Sequence, residues 1–253
     1  MCYRIILTIL TILTCHGIYA QDEHYQSIYE QANAAYEEGA YDSAKTLYSE
    51  ILEGGILSAD LFYNTANSYF KIGAIPASIL FYEKALKMEP NHEDAQYNLK
   101  IANGFVKDKI SENERSSIAD LWQTIATSAH ADVWAWIFLL NLVLLCVGAG
   151  FFFVSKTVLL KQIGFMGSIG LLCTGIVFFS LALSSKANSE KREAVVFAPT
   201  QNVKSEPRSS STDQFVIHEG LKVAVEESTD SWIRIRLVDG KTGWVPTSSL
   251  EEI

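Results

Sequence analysis

The sequence predicts a multidomain membrane protein with three parts: an all-α repeat domain, a two-helix transmembrane hairpin and a small all-β barrel. Three observations lead to this fold class. Residues 25–90 repeat at an interval of 34 residues, residues 133–185 hold two long apolar runs, and residues 194–253 hold short alternating runs. Since each pattern has its own period, the three parts are separate structural units.

The first segment, residues 1–20, has the pattern of a secretory signal peptide. Arg4 precedes an apolar stretch, and small residues come before the polar sequence QDEH. Cleavage after Ala20, lipid attachment at Cys15 and retention as an anchor all stay open. In each case the following region is exported, so the residues after the segment are predicted to lie outside the cytoplasm.

Residues 21–104 contain the repeat, with units predicted at 25–58 and 59–92. Equivalent residues recur in both units: Ala32 and Ala66, Gly39 and Gly73, Ala44 and Ser78, Tyr48 and Tyr82. The alanines let two helices approach closely, the tyrosines fill the gap between them, and the glycines supply a left-handed turn. This period of 34 residues resembles the tetratricopeptide repeat, a helix–turn–helix unit. Residues 93–104 begin a third unit and are predicted to form the capping helix that such stacks need.

The resemblance to tetratricopeptide repeats implies a concave groove lined by the first helix of each unit. Eight side chains are predicted to face this groove: Tyr29, Asn33, Tyr36, Tyr63, Asn67, Phe70, Lys71 and Tyr97. Asn can bond an extended peptide backbone as donor and acceptor, and Tyr offers a broad contact with a polar tip. Two interpretations stay open: the groove binds a segment of a protein partner, or these residues pack the repeats.

Residues 105–132 form a juxtamembrane linker that includes a weakly amphipathic helix. The helix is predicted from apolar residues at helical spacing: Ile118, Leu121, Trp122 and Ile125. It either lies along the membrane surface or packs on the repeats. Trp134 and Trp136 then stand where an interfacial aromatic belt belongs.

Two charge-free runs, 133–155 and 162–185, are each predicted to be a transmembrane helix. Spanning the hydrocarbon core takes about 20 apolar residues, and neither run shows the polar face of a soluble core helix. Only Lys156 and Lys161 lie between them, in a connection too short for a domain. Asn141 is the one strongly polar side chain deep in the first run, and neither run contains an acidic, basic or histidine residue. Because proton relays and ion paths usually need such groups, a transporter function is disfavoured.

Charges beside the hairpin give conflicting signals about its orientation. Lys156 and Lys161 favour a cytoplasmic turn, whereas Lys186, Lys191 and Arg192 favour the opposite. The signal-like N-terminus decides between them, because it exports the repeats. The predicted localisation is the bacterial inner membrane, as a multi-pass protein with both soluble parts on the periplasmic side.

Residues 194–253 predict five short strands, at 194–197, 215–217, 221–225, 232–237 and 243–245. Asp239 and Gly240 signal a hairpin turn between the last two. Alternation in WIRIRL puts Ile233, Ile235 and Leu237 on one face and the intervening residues on the other. Five strands in so short a segment predict a small closed barrel.

The pattern EGLKVAV followed by SWIRIRLVDGKTGWVP resembles the bacterial SH3-like domain. Such barrels often have a tryptophan in their core at the position of Trp244. Trp232, Arg234 and Arg236 are therefore the predicted contact residues of this domain.

Both soluble parts are acidic. Residues 21–120 carry 8 Lys+Arg against 17 Asp+Glu, and residues 194–253 carry 6 against 9. This balance argues against a nucleic-acid partner. Neither soluble part contains a cysteine, so a disulfide or a cysteine nucleophile is excluded there; the four cysteines are Cys2, Cys15, Cys146 and Cys173.

The order of the parts over the whole chain resembles the BatE-type tetratricopeptide repeat proteins of the Bacteroides aerotolerance operon. The stretches EDAQYNL and GWVPTSSLEEI carry the more specific likeness. The resemblance implies a membrane-anchored scaffold that acts beside von Willebrand A-type membrane proteins and a MoxR-type ATPase. It also implies a link to aerotolerance or envelope stress.

The sequence contains no Gly-rich phosphate loop, paired-His metal motif or Gly-x-Ser-x-Gly elbow. We therefore predict no enzymatic activity and no catalytic, cofactor or metal site. The predicted function is a scaffold that binds envelope proteins through the repeat groove. The alternative is a cell-wall sensor or anchor whose SH3-like domain binds peptidoglycan.

Overall fold

The computed structural model describes residues 24–109 and 117–253. The predicted signal peptide lies outside these residues. The described helices are α1 (24–37), α2 (Tyr41–Glu53), α3 (Ala59–Lys71), α4 (Ile75–Met88), α5 (Glu93–Gly104), α6 (Ser117–Thr127), α7 (Ala131–Val154) and α8 (Val158–Ser189). The strands are β1 (Glu193–Val196), β2 (Thr200–Lys204), β3 (Asp213–His218), β4 (Lys222–Ser228), β5 (Trp232–Arg236), β6 (Thr242–Pro246) and β7 (Leu250–Glu252).

The first four helices form two helix–turn–helix pairs, α1 with α2 and α3 with α4. Gly39 and Gly73 make the turns with φ of +81° and +79°, which confirms the left-handed backbone predicted there. Ala32 and Ala66 are completely buried where the helices approach. The hydroxyl of Ser58 accepts from the Leu61 amide and so caps the start of α3.

Helix α5 follows, and among the described residues 24–109 and 117–253 no second helix completes a pair with it. Its buried side is made by Ala95 and Ala102. The C-terminal sheet packs beside α4 and the end of α5 instead. A Cβ on Gly220 would lie 2.9 Å from Val106 and 3.4 Å from Ile79, so glycine permits this close approach. One buried apolar cluster consequently runs from the repeats into the sheet.

The seven strands form one antiparallel sheet in the order β3-β2-β6-β5-β4-β1-β7. The five predicted strands correspond to β1, β3, β4, β5 and β6, while β2 and β7 were missed. The prediction of a closed barrel is corrected, because no ladder joins the edge strands β3 and β7 in the described part of the chain. Gly240 has a φ of +89° at the predicted hairpin turn. We call residues 193–253 the sheet domain.

Helices α7 and α8 pack against each other as an antiparallel hairpin, and both are long and apolar enough to cross a membrane. Gly164 allows the close approach, since a Cβ there would lie 3.0 Å from the carbonyl oxygen of Gly148. Asn141 is buried and donates to the hydroxyl of Thr174 at 2.8 Å. Most of the large apolar side chains of both helices are exposed.

Helix α6 packs against the C-terminal end of α8 rather than on the repeats. The indole N–H of Trp122 donates to the Ser184 hydroxyl at 3.1 Å, and the amide of Gln123 donates to Asn188 at 2.9 Å. One hydrogen bond links this region to the repeats, from Asn91 to the carbonyl of Ser128 at 2.7 Å.

Candidate partner-binding surfaces

Four of the eight predicted groove residues take part in hydrogen bonds within the helical stack. Inside each helix pair, an asparagine of the first helix accepts from a buried tyrosine of the second. The Tyr48 hydroxyl donates to Asn33 and the Tyr82 hydroxyl donates to Asn67, each at 2.6 Å. Tyr48 and Tyr82 are almost fully buried, so each needs this acceptor.

A second set of bonds joins one helix pair to the next. The amide of Asn64 donates to the Tyr29 hydroxyl at 2.8 Å. One repeat later, the amide of Asn98 donates to the Tyr63 hydroxyl at 3.3 Å and to Asn67 at 3.0 Å. These contacts give Tyr29, Asn33, Tyr63 and Asn67 a packing role, and peptide binding by them stays a prediction.

Burial favours the protonated form of the two tyrosines that donate within the helix pairs. Desolvation raises the pKa of Tyr48 and of Tyr82 well above the ordinary range, with nearby tyrosines adding to the effect. Burial also raises the pKa of Tyr29 and Tyr36. The hydroxyls of Tyr48 and Tyr82 therefore act as permanent donors to Asn33 and Asn67.

The other predicted groove residues lie nearer the surface. Tyr36 packs edge-on to Tyr41 at 5.1 Å between ring centroids, and the Lys71 ammonium lies 5.8 Å above the Tyr41 ring. Phe70 contacts Phe105 at 5.8 Å, again edge to face. Lys71 is exposed, and its charge remains available at the surface.

Tyr97, the last of the predicted groove tyrosines, has a different environment from Tyr29 and Tyr63. It is 67% exposed and lies on α5 with Ile101 (39% exposed), and Phe105 (65% exposed) follows directly after the last residue of the helix. A spacing of four residues puts the three on one face of the helix. We call Tyr97, Ile101 and Phe105 the terminal stripe. The sequence could have indicated the terminal stripe, because Tyr97 is the last of the tyrosines that recur every 34 residues after Tyr29 and Tyr63.

The outer face of the sheet domain holds the three predicted contact residues and a fourth. Trp232, Arg234 and Arg236 alternate along β5 and so share one face. Trp244 of β6 lies directly opposite Arg234, so its side chain is on the same face. The expectation of a core Trp244 is corrected, because Gly243 and Val245 occupy the inner positions of β6. Trp244 is partly exposed beside Arg234.

Acidic residues of β4 neutralise the two arginines on this face. Arg234 contacts Glu226 at 3.4 Å and Glu227 at 3.3 Å, and Arg236 is paired with Glu226. All of these side chains are at least partly open to solvent, so the pairs contribute little to stability. The two tryptophans are consequently the distinctive feature of the outer face.

Charged groups at the starts of β1 and β4 connect the sheet domain to the repeats. The Lys222 ammonium lies 2.8 Å from carboxylates of both Glu83 on α4 and Glu193 on β1. Burial alone lowers the pKa of Lys222, but the two carboxylates outweigh it and the pKa is raised. We call these three residues the junction triad.

A second polar contact supports the same junction. Asp108 accepts from the backbone amide of His218 at 2.6 Å, and its other oxygen lies 2.9 Å from the His218 ring. No local pattern in the sequence points to either contact, because the partners are more than a hundred residues apart.

Comparison with known proteins identifies the last part of the chain. The family model of the bacterial SH3 domain matches residues 199–251. The chain therefore combines a helical N-terminal region, two apolar helices that could span a membrane, and a bacterial SH3 domain at its C-terminus.

The chain is also similar to sperm-associated antigen 1 of Rattus norvegicus, with 26% identity over 119 residues. The similar region covers 47% of this chain but only 13% of that protein. The chain thus corresponds to a small part of this relative.

Proposed function

We propose that this protein is a non-enzymatic, membrane-anchored scaffold that binds a protein partner at the open end of its helical repeats. The observation that carries the proposal is the terminal stripe. In the two preceding pairs, the equivalent tyrosines are covered by the next helix and bonded to its asparagine. The stripe offers the same kind of helix-packing surface, and in the described part of the chain it stays largely open apart from the edge contact of Phe105 with Phe70.

The proposal puts both soluble parts on one side of the membrane. Its support is the junction triad, in which Lys222 from the sheet domain contacts Glu83 from the repeats. A contact between segments that precede and follow the two apolar helices requires both segments to be on the same side. The signal-like residues 1–20 favour the periplasmic side of a bacterial inner membrane.

The resemblance to the BatE-type proteins suggests the class of partner. Under this proposal the repeats hold a von Willebrand A-type membrane protein, or a component of a MoxR-type ATPase system, in an envelope-stress or aerotolerance complex. The terminal stripe is apolar with one phenol, which suits the apolar face of a partner helix.

Site-specific photocrosslinking in intact membranes tests the scaffold. A photoreactive phenylalanine at Tyr97 should crosslink a discrete partner, and Ile101→Glu in the same chain should remove that product. The matched control has the photoreactive residue at Leu57, which is 57% exposed elsewhere on the repeats. Identical products from both positions, or no product from Tyr97, would exclude the terminal stripe as the binding surface.

The alternative function is a cell-wall anchor or sensor in which the SH3 domain binds peptidoglycan. The observation that favours it is the partly exposed pair Trp232 and Trp244 on the outer face of a bacterial SH3 domain. Flat aromatic rings are suited to stack on sugar rings, and Arg234 lies opposite Trp244 and two residues along β5 from Trp232.

Purified full-length protein, incubated with isolated sacculi in detergent, tests this alternative. Trp244→Ala should reduce sedimentation with the sacculi, whereas Val216→Ala, at another exposed position of the same domain, should not. If the unaltered protein stays in the supernatant, the cell-wall function is excluded and the scaffold remains.

A further inference from the structure

Helix α6 presents three different sides to its surroundings. One side packs on α8 and the start of α7 through Trp122, Gln123 and Ala126. A second side carries Thr124 and Thr127. The third side carries Ile118, Leu121 and Ile125, which are 80%, 61% and 39% exposed. We call this third side the α6 stripe.

The α6 stripe lies at the level where the apolar part of α8 ends. The charge-free run of α8 stops at Ser185, and Lys186 is the first charge after it. Trp122 of α6 bonds to Ser184, and the Ser185 hydroxyl donates to the carbonyl of Ala129 just after α6. Helix α6 is therefore fixed beside the last turns of the apolar run.

Aromatic residues mark the same level on α7. The indole N–H of Trp134 donates to the carbonyl of Ala126 at 3.1 Å, and its ring stacks on Phe178 of α8. Trp136, two residues further along, is 70% exposed. Tryptophans with an apolar body and a polar tip concentrate at the boundary between headgroups and acyl chains.

We propose that α6 is an interfacial helix and that the α6 stripe inserts into the lipid bilayer at this boundary. The inference rests on the proposed membrane anchoring, because the bilayer is the one that α7 and α8 cross. The α6 stripe continues the outward apolar surface of the hairpin, on which Phe179 and Leu183 are about half exposed. The place of the α6 stripe beside the last apolar turns of α8 selects lipid as its occupant over a second copy of the chain.

An interfacial α6 would fix how the hairpin sits in the membrane. Its contacts to Ser184 and Asn188 prevent this end of α8 from sliding deeper into the lipid. The hydrogen bond from Asn91 to Ser128 then passes this restraint to the repeats. The repeats are in this way held close to the membrane surface.

Nitroxide labelling of the full-length protein in phosphatidylcholine and phosphatidylglycerol nanodiscs tests the inference. The four cysteines are replaced by serine, and single cysteines are placed at Leu121, Ile118, Thr124 or Leu140. The accessibility of each label to oxygen and to a water-soluble nickel complex is measured by electron paramagnetic resonance. These sites are exposed, so the labels do not disturb packing.

The labels at Leu121 and Ile118 should be severalfold less accessible to nickel than the label at Thr124, and more accessible to oxygen. Equal nickel accessibility at Leu121 and Thr124 would overturn the interfacial helix. So would immobile spectra at Leu121 with neither reagent accessible, which would indicate a protein contact. The label at Leu140 reports on the hairpin. Strong nickel accessibility at Leu140 would overturn the membrane anchoring as well. Low nickel accessibility at Leu140 would keep the anchoring, so that a negative result at Leu121 overturns only the interfacial position of α6.

Discussion

Tyr63 and Tyr97 hold equivalent positions in the repeat but have opposite environments. Tyr63 accepts a hydrogen bond from Asn98 on the next helix and is partly buried, whereas Tyr97 is 67% exposed. The difference lies in the neighbour, since α5 covers α3 and no described helix covers α5 in the same way. Under the proposed function, a position that packs against the next helix within the stack is available to a partner at its end.

The end of the helical stack formed by α4 and α5 has a covered part and an exposed part. The sheet domain covers Ile79 of α4 and Val106 after α5, while the terminal stripe stays open. The C-terminal domain thus covers one half of this end, and the terminal stripe on the other half is exposed.

The largest effect is expected inside the stack, from Asn67→Ala. This change leaves the buried Tyr82 hydroxyl without an acceptor and removes a partner of Asn98, so we expect a loss of about 1–3 kcal/mol. Asn33→Ala removes a single bond and should lie at the lower end of this range. Amide hydrogen exchange of α3 and α4 in the detergent-solubilised protein measures the loss.

The exposed Lys71 supplies the control for these two substitutions. Lys71→Ala should change the exchange free energy by less than about 0.5 kcal/mol. An Asn67→Ala variant as stable as Lys71→Ala would show that the asparagine ladder does not support the stack.

An intermediate loss of stability is expected from Lys222→Met, at the junction where the sheet domain covers the repeats. It leaves Glu83 and Glu193 facing each other without a cation. Because Lys222 is partly exposed, we expect a loss of about 1–2 kcal/mol, below that of a fully buried pair. Thermal unfolding followed by tryptophan emission compares it with Lys241→Met, which removes only an exposed pair with Asp239.

The effect of Lys222→Met should depend on pH with a definite sign. The folded-state pKa of Lys222 is raised, so its contribution is complete below the unfolded pKa of about 10.4 and is lost as the pH rises through the higher folded value. The difference in unfolding temperature between the unaltered protein and the variant should be constant from pH 7 to pH 9 and shrink above about pH 10.4. A difference that stays constant to high pH would argue against the junction triad as its source.

The smallest effect tests the comparison of the two tyrosines directly. Tyr63→Phe removes the acceptor of a long hydrogen bond from Asn98 and should cost about 0.5–1 kcal/mol. Tyr97→Phe removes only a solvated hydroxyl and should leave stability unchanged within error. Hydrogen exchange at α5 measures both, and equal losses would mean that the two positions do not differ.

The features that depend on local patterns were predicted from the sequence. The left-handed turns at Gly39 and Gly73 follow from the repeat, and the buried side of WIRIRL follows from alternation, since Ile233, Ile235 and Leu237 are all buried. The two apolar helices follow from length and composition.

The features that the sequence did not predict depend on contacts between residues distant in the chain, or on segments whose apolar and polar residues do not alternate clearly. The segments TQNVK and LEE form β2 and β7 although each has only one apolar residue, because neighbouring strands supply their hydrogen bonds. Lys222 and Glu83 are 139 residues apart, so nothing local links them. Asn33 and Asn67 suit packing and peptide binding equally well, and the positions of Tyr48 and Tyr82 were needed to assign their hydrogen bonds.

The contact of Gly220 with Ile79 and Val106 has a consequence for biosynthesis. The repeats precede the sheet domain in the chain, so they are translated before the domain that covers their apolar flank, with both apolar helices in between. Ile79 and Val106 stay uncovered until the sheet domain has been made and has folded against them. Under the proposed membrane anchoring, correct insertion of the hairpin is a precondition for completing the soluble fold, and a chain that stalls or inverts in the membrane exposes a surface that quality-control proteases can recognise.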